Sequence, residues 1–445
     1  MDALTFSALA HLAAPSLRGL LYLQCTLQMS YDAGVLAFTS FVRRLSEQLA
    51  QLPKLRSLWL QFPSGPARAR SLPAGHDITF RLPVLEALTL VNHGTRPSGM
   101  PIVAAPKIAR VEVDRLESAG LAAWLAHFGP SLQVLSLNPA LESLEDAGPD
   151  LLAALGRGML PGLVSLELMS LLMPPSFVDI VHQWTSLRLL HCQMPLSAST
   201  WRLVQLLRAL PLLTGLVLTA TVTGHQTGVV QDSALPAESS AAVVVHHHLE
   251  LLRTNLVDAA SLARLDLPVL RRVRLSPDGD VQLERVLSCM PRVGLLELVD
   301  CRATFSLASG APTMLGVQVL RLDGVDLPAE QCAHLAAHCP NLKRIDVLQL
   351  THTSKSLVVL ALASQKLPQL EVCDLTAQDG LEPGSLAAST LTQLLLHAPK
   401  LHTLHLPPGC VHRKAAESAV QHASHLGQPC VLRQLTAGEI VLNLP

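Results

Sequence analysis

The sequence predicts an α/β solenoid, with short parallel strands along one face and helices along the other. Three observations predict this fold class: a short apolar motif recurs along the chain, most steps between copies are 23 to 31 residues, and helical stretches lie between the copies. Periods in this range are typical of repeat arrays in which each unit is covered by its neighbours. We therefore expect a single array over residues 1–445, with about 14–15 repeats.

The strand of each repeat is predicted by the motif Pro-x-Leu-x-x-Leu-x-Leu. Clear copies are LPKLRSLWL (Leu52–Leu60) and LPVLRRVRL (Leu267–Leu275). The terminal Leu-x-Leu alternates as a half-buried strand does, and the proline ends the preceding helix because it lacks an amide hydrogen. Fourteen copies can be aligned, with first apolar positions from Leu17 to Leu401, and a broken copy follows at Leu432.

The helix of each repeat is predicted by apolar stretches between the motif copies, the clearest at residues 33–51, 197–209, 279–290 and 385–398. Several open with Ser or Asp, which cap helix N-termini. One strand and one helix cannot bury both apolar faces alone, so neighbouring units must stack. The expected result is a horseshoe with a parallel sheet on its concave face and helices on its convex face.

One interval between motif copies is much longer than the others. The distance from Leu213 to Leu270 is 57 residues, about twice the usual period. We interpret residues 219–265 as either an insertion or a degenerate repeat within the array. Residues 219–240 are rich in Gly, Ser and Thr and predict a flexible loop, and a helix is expected after it, from about Ala241 to Leu265.

Residues 334–347, HLAAHCPNLKRIDV, resemble the cysteine-containing subtype of the leucine-rich repeat family, whose pattern is Leu-Ala-x-x-Cys-Pro-x-Leu-x-x-Leu-x-Leu. Cys25 and Cys301 stand where that family keeps Asn or Cys. The subtype is common in F-box proteins, and the chain is also similar to ribonuclease-inhibitor-like arrays. The resemblance implies a non-catalytic scaffold that binds a protein partner on the concave face.

Two more specific functions are implied by the same resemblance. One is substrate recognition for a cullin-type ubiquitin ligase, and the alternative is regulation of an enzyme by an inhibitor or GTPase-activating array. An F-box should precede the repeats, but the first copy is already running at Leu17. A ligase adaptor is therefore expected only if an F-box lies in a longer product. Neither end has an evident polar cap, so we expect either such a product or an association that covers the ends.

Composition narrows the other classes of function. The net charge of −1 gives no global reason to expect nucleic acid or an anionic membrane as a partner. Nine cysteines without a Cys-x-x-Cys pair, and no Asn-x-Ser/Thr acceptor, indicate an intracellular protein, cytoplasmic or nuclear. The N-terminus has no basic leader, and the longest strongly apolar run, Leu357–Ala363, is far shorter than the roughly 20 residues that cross a bilayer. A soluble protein is expected.

A group of two cysteines and two histidines does not predict a metal site. On a helix, Cys332 and Cys339 lie on one side while His334 and His338 lie on the other, so one metal cannot reach all four. We expect buried cysteines, exposed histidines, and neither metal nor cofactor. The adjacent histidines at 246–248 point in different directions and are interpreted in the same way. Phosphate-loop, zinc-protease and nucleophile-elbow motifs are absent, so no catalytic residues are expected.

The strand register predicts which side chains face a partner. The leucines point into the core, so the residue between the last two apolar positions faces outward, with the two preceding variable positions at its edge. The candidate partner-binding residues are Trp59, Glu112, Glu167, His191, Arg271, Arg272, Arg274, Glu297, Arg321, Lys343, Arg344 and Asp346.

Two features of this set allow alternative interpretations. Six of its members are basic and fall in nearly consecutive repeats, which predicts an electropositive patch for an acidic segment of a partner. The alternative is an ordinary solvated face, because Glu297 and Asp346 are close enough to neutralise part of the charge. Trp59 is either an interface anchor or a residue that caps one end of the solenoid.

Overall fold

The computed structural model describes residues 19–26, 43–61, 79–91, 102–116, 125, 127–128, 131–139, 155, 160–173, 177–195, 201–221, 243–255, 265–276, 280–283, 290–304, 314–349, 355–375, 386–406, 411, 413–426, 431–435 and 439–443. The chain divides into two compact units, Met1–Gln231 and Asp232–Pro445. Each unit contains a ladder of strands whose successive members come from successive repeats.

The first unit is built on a ladder of eight parallel strands among its described residues. Two further short strands, β3 and β5, pair with each other outside it. Residues 43–49 are also helical. The bounds are β1 Tyr22–Thr26, β2 Ser57–Gln61, β3 Thr79–Arg81, β4 Ala87–Val91, β5 Ile102–Ala104, β6 Arg110–Leu116, β7 Val134–Pro139, β8 Ser165–Leu172, α1 Phe177–Val181, β9 Leu189–Pro195, α2 Trp201–Ala209 and β10 Gly215–Thr221.

The second unit repeats this plan with seven parallel strands in its main ladder. Two small parallel pairs, β11 with β13 and β15 with β17, lie outside that ladder. The bounds are β11 Val244–Val245, β12 Leu251–Thr254, β13 Leu265–Asp266, β14 Arg272–Leu275, β15 Asp280–Gln282, β16 Leu295–Val299, β17 Arg302–Thr304, β18 Val319–Asp323, α3 Ala329–Ala337, β19 Arg344–Val347, α4 Lys355–Ala363, β20 Val372–Asp374, α5 Ala388–His397, β21 Thr403–His405, α6 Arg413–His425, β22 Val431–Leu435 and β23 Glu439–Asn443.

The leucines of the motif form continuous buried rows because the strands pair in register. Leu296 of β16 lies opposite Leu320 of β18, which in turn lies opposite Ile345 of β19, and all three are fully buried. Burying one such side chain contributes about 1.5–3 kcal/mol. The buried faces of α3 to α6 supply the other side of the core in the second unit. The predicted α/β leucine-rich repeat solenoid is confirmed.

The strands are also tied together by one recurring backbone feature. In both main ladders, the carbonyl oxygen just before a strand accepts two amide hydrogens from the next repeat wherever another parallel strand of that ladder follows. Gly294 O, for example, lies 2.8 Å from Gln318 N and 2.9 Å from Val319 N, and Gln318 O bonds Lys343 N and Arg344 N in the same way. The strand of each such repeat is therefore held in register by a carbonyl oxygen of the preceding repeat, which accepts its first amide hydrogens.

The helix predicted in every repeat is not always present. Helices α2 and α5 lie within the predicted stretches 197–209 and 385–398. In contrast, β3 and β5 precede the motif in two repeats of the first unit, and residues 280–282, predicted as helix, form β15. β-branched and aromatic residues in these short segments favour extended backbone, and pairing with the neighbouring repeat satisfies their amides.

The helix expected from about Ala241 to Leu265 is wrong for the described residues, which form β11, β12 and the start of β13. β12 pairs in register with β14, so that Leu252 lies opposite Val273. The stretch keeps the spacing of the motif's buried leucines, because Leu249 and Leu252 are buried and lie three residues apart. Its usual first leucine is replaced by the buried His246, whose Nδ1 accepts the Leu249 amide hydrogen at 3.1 Å.

The last two strands depart from the parallel arrangement. β23 pairs antiparallel with β21, and β22 pairs antiparallel with β23. The broken copy at Leu432 therefore does not continue the parallel ladder. Only residues 436–438 separate β22 from β23, a length that favours an antiparallel hairpin. The expectation of uncapped ends stays a prediction.

Candidate interaction surface

One face of each main ladder carries the leucine rows, and the other carries the variable residues between them. We call the second face the open face. In the second unit its central positions run in register across β12, β14, β16, β18, β19 and β20. The residues at these positions are Arg253, Arg274, Glu297, Arg321, Asp346 and Asp374.

Opposite charges alternate over the middle of this row. The Arg274 and Arg321 guanidinium groups both approach Glu297 Oε1, with Nη1 at 3.5 and 3.7 Å. Arg321 Nη2 also lies 3.4 Å from Asp346 Oδ2. Each interior charge therefore has a partner on the neighbouring strand.

Arg344 extends these contacts from the edge of the row. Its Nε donates a hydrogen bond to Asp346 Oδ1 at 2.7 Å, and its Nη2 lies 4.0 Å from Asp374 Oδ2. It thus bridges two carboxylates that face each other on β19 and β20. We call the chain of Arg274, Glu297, Arg321, Asp346, Arg344 and Asp374 the ionic ladder.

Burial divides the ionic ladder into an inner and an outer layer. The side chains of Asp346 and Glu297 are only 2% and 11% exposed, whereas those of Arg321 and Arg344 are 41% and 45% exposed. Buried carboxylates need partners, because removing an ion from water is costly. The carboxylates therefore hold the arginines in place, while the outer guanidinium surfaces stay available to a partner.

The structure brings the predicted basic residues together but pairs several of them. Lys343 lies 3.7 Å from Glu371, next to the ionic ladder. Arg271 and Arg272 lie at the start of β14 and are exposed. Within the described part of the chain, neither of them makes an ion pair. Among the described residues of this open face, the basic side chains without an ion pair therefore lie at β14 and its neighbour β12.

Sequence reasoning missed Arg253, which lies directly opposite Arg274. The motif alignment skipped this repeat because its stretch, HHHLELLRT, has no proline and has His246 and Thr254 at positions that are usually leucine. The available signal was the spacing of Leu249 and Leu252. It places Arg253 at the outward position.

The open face of the first unit is different in character. Its central row contains Trp59, Thr89, Glu112, Ser136, Glu167, His191 and Val217. Hydroxyl groups donate to the two glutamates there, from Thr89 to Glu112 and from Ser136 to Glu167, each at 3.2 Å. Glu112 also pairs with Arg110 of its own strand. This row presents hydroxyls and carboxylates, with no arginine at its central positions in the described residues.

Trp59 lies half-buried on β2, the second strand of this ladder. Its neighbours in register are Gln24 on β1 and Thr89 on β4. Tyr22 of β1 is exposed and donates a hydrogen bond to Gln24 Oε1 at 3.2 Å. By register, two aromatic residues thus lie on neighbouring strands and on the same face. Both interpretations of Trp59 remain consistent with this placement.

In the cysteine–histidine group, the cysteines are buried as predicted, whereas His334 and His338 are half-buried and not exposed as expected. Cys332 and Cys339 are buried, and Cys339 Sγ donates to Leu335 O at 3.2 Å, just past the end of α3. His338 Nδ1 donates to His334 O at 2.9 Å. Burial raises the pKa of both thiols to about 12, which keeps them protonated at neutral pH. In the described residues, no group of three or more potential metal ligands comes together.

Comparisons with known proteins give only distant likenesses. No family model and no curated protein matches the chain. A crystal structure of the Rad7 and Elc1 complex in yeast contains a similar chain, with 16% identity and a TM-score of 0.38, covering 81% of this chain and 79% of that one. A crystal structure of the mouse RP105/MD-1 complex contains another, with 14% identity and a TM-score of 0.42, covering 90% of this chain and 73% of that one. Among the helices that the structure describes, none is long and apolar enough to cross a bilayer.

Proposed function

We propose that the chain is a protein-interaction scaffold that binds its partner on the open face of the second unit, without catalysing a reaction. The observation that carries this proposal is the ionic ladder, in which half-exposed arginines are held by buried carboxylates on consecutive strands. Arginine is enriched among residues that dominate interface energies. A side chain fixed before binding also loses less entropy on binding.

The partner segment that best fits this face is acidic. The described carboxylates of the ionic ladder leave Arg271, Arg272 and Arg253 without ion pairs in the described residues. An acidic segment would add the missing negative charge, and its association would be faster at low ionic strength. In this proposal, the acidic segment would contact β12 and β14, at one side of the predicted electropositive patch.

Within this class, we propose substrate recognition for a cullin-type ubiquitin ligase. The support is the resemblance of residues 334–347 to the repeat subtype common in F-box proteins. In that role the open face would hold the substrate inside the cell, and an F-box in a longer product would hold the ligase adaptor. The alternative is regulation of an enzyme, which the similarity to ribonuclease-inhibitor-like arrays supports.

Affinity capture with the full chain tests the scaffold. The open-face variant is Arg272→Glu/Lys343→Glu, and the matched control is Lys366→Glu/Lys400→Glu, which reverses two exposed charges outside the strands. We expect proteins bound to the unaltered chain to be lost by the open-face variant and kept by the control. Equal capture by both variants would refute binding on this face. Ligase adaptors among the captured proteins would favour the ligase role, whereas one tightly bound enzyme or GTPase would favour the alternative.

A further inference from the structure

On the open face of the second unit, two arginines occupy facing positions on neighbouring strands. Arg253 of β12 lies directly opposite Arg274 of β14, and Arg272 lies on the same face two residues earlier in β14. Arg253 and Arg272 are exposed, and the Arg274 side chain is 40% exposed. We call Arg253, Arg272 and Arg274 the arginine cluster.

This pair differs from the others in the row because no described carboxylate forms an ion pair with Arg253 or Arg272. The row also contains an acidic step, Asp346 opposite Asp374, but Arg344 contacts both carboxylates. Like charges that face each other across strands are destabilising. In the arginine cluster, the only described carboxylate in an ion pair is Glu297, which Arg321 shares. An anion from outside the chain would supply the missing charge.

The backbone positions of the three arginines suit an anion with several oxygens. Neighbouring strands are about 4.8 Å apart, and residues two apart in a strand are separated by about 6.6 Å. Long arginine side chains starting at these points can converge on one group. A phosphate monoester offers three acceptor oxygens and about −1.5 to −2 charges, whereas a carboxylate offers two oxygens and one charge. Guanidinium–phosphate bonds are also charge-assisted and geometrically specific.

The surroundings of the arginine cluster favour a protein as the source of the phosphate. The ionic ladder continues from the cluster and places the carboxylates Glu297, Asp346 and Asp374 on the same face. A membrane surface or a nucleic acid would bring many negative charges against these groups. A peptide can instead place one phosphate on the arginines and present neutral or basic groups to the carboxylates.

We propose that the arginine cluster binds a phosphorylated serine or threonine in a segment of a partner protein. This inference rests on the proposed function, because it names the chemistry that the open face would recognise. It makes recognition dependent on phosphorylation of the partner.

A fixed-position peptide library tests the proposal with the full chain. The central residue is phosphoserine in one set, serine in the second and glutamate in the third, with mixed residues on both sides. We expect at least about tenfold more binding to the phosphoserine set than to either other set, since the dianion engages more than one arginine. Equal binding of the phosphoserine and glutamate sets would overturn the proposal.

Matched variants locate the site of binding. Arg253→Gln/Arg272→Gln should abolish the preference, whereas Arg208→Gln/Arg292→Gln, which removes the same charge elsewhere, should keep it. Without phosphopeptide, Arg253→Gln should raise the thermal midpoint by about 1 °C, because it removes one of two like charges at positions that face each other. A large fall in that midpoint would identify Arg253 as a structural residue and overturn the proposal.

Two further arms separate the sources of phosphate. Inorganic phosphate should compete with the phosphoserine library only weakly, and vesicles containing a phosphoinositide should not compete at equal phosphate concentration. If vesicles displace the phosphoserine library at equal phosphate concentration, the cluster is a lipid site and the peptide proposal is overturned. Capture of a partner that depends on the open face but survives phosphatase treatment would overturn the phosphate inference and leave the scaffold function standing.

Discussion

The buried carboxylate of Asp346 provides the most direct test of the ionic ladder. Its side chain is 2% exposed, receives a 2.7 Å hydrogen bond from Arg344 and lies 3.4 Å from Arg321. Asp346→Asn keeps the shape but removes the charge, and it turns an amide towards one of the two guanidinium groups. A hydrogen bond between charged partners contributes about 1.5–3 kcal/mol.

The expected cost is smaller than the sum of the two contacts. The contact with Arg321 is long, and both arginines are exposed by more than two-fifths, so they can hydrate after the substitution. Neutralising Asp346 also removes part of the cost of burying a charge. We therefore expect a loss of about 1–3 kcal/mol in the free energy of unfolding, which lowers the thermal midpoint of a unit of this size by about 2–12 °C.

Glu371→Gln is the matched control, because it removes the same charge from a neighbouring position. Glu371 is 38% exposed and pairs with the 51% exposed Lys343 at 3.7 Å. Exposed pairs contribute about 0–1 kcal/mol, so this variant should change the midpoint little. Urea unfolding followed by circular dichroism measures both variants. If Asp346→Asn costs no more than Glu371→Gln, the ionic ladder does not hold its arginines in place.

Three other predictions follow from the described residues. Gly324→Ala should cost about 1–3 kcal/mol in urea unfolding, because Gly324 has φ 65° and a Cβ there would overlap the Asp300 carboxylate. The control Gly294→Ala should change stability by less than about 1 kcal/mol. Equal effects of the two substitutions would contradict this reasoning. Burial raises the pKa of Cys332 to about 12 and that of Cys373 further, so both thiols should resist labelling at pH 8 until the chain unfolds. Mass spectrometry of the labelled peptides checks this. Fast labelling of the native protein would refute it. Trp59→Ala should cost less than about 1.5 kcal/mol in urea if Trp59 is an interface anchor, whereas a loss near the 3–5 kcal/mol typical of a buried Trp would identify it as an end cap.

The strand register was predictable from the sequence because the buried leucines occur at fixed spacings. That spacing correctly placed Leu296, Leu320 and Ile345 on the core side. It failed where a polar residue takes a leucine position, as His246 does, because burial of an imidazole depends on a hydrogen bond that no pattern reveals. The register of Arg253 was missed for the same reason.

The ion pairs were harder to predict than the rows on which they lie. Register alone placed Glu297 and Arg321 side by side, but it could not show that the carboxylates are buried and the arginines half-exposed. That division depends on how long side chains fold back over their neighbours. Helices on the other side of the repeats were only partly predictable, because pairing between neighbouring repeats allows a short strand to satisfy the same amides.

The carbonyl oxygen that accepts two hydrogen bonds just before a main-ladder strand affects how such an array can change in length during evolution. Loss of residues 295–318 would join Gly294 to Val319, leaving Gly294 O opposite the amides of Lys343 and Arg344, which now bond Gln318 O. The amides of Lys343 and Arg344 would then meet an equivalent acceptor, and Leu320 would follow Val273 in the buried row. Loss of half that length would leave donors without acceptors inside the sheet, at a cost of about 1–3 kcal/mol for each buried group. We therefore expect the array to gain and lose whole periods, so that the number of arginine-bearing strands can vary while the sheet that carries them stays intact.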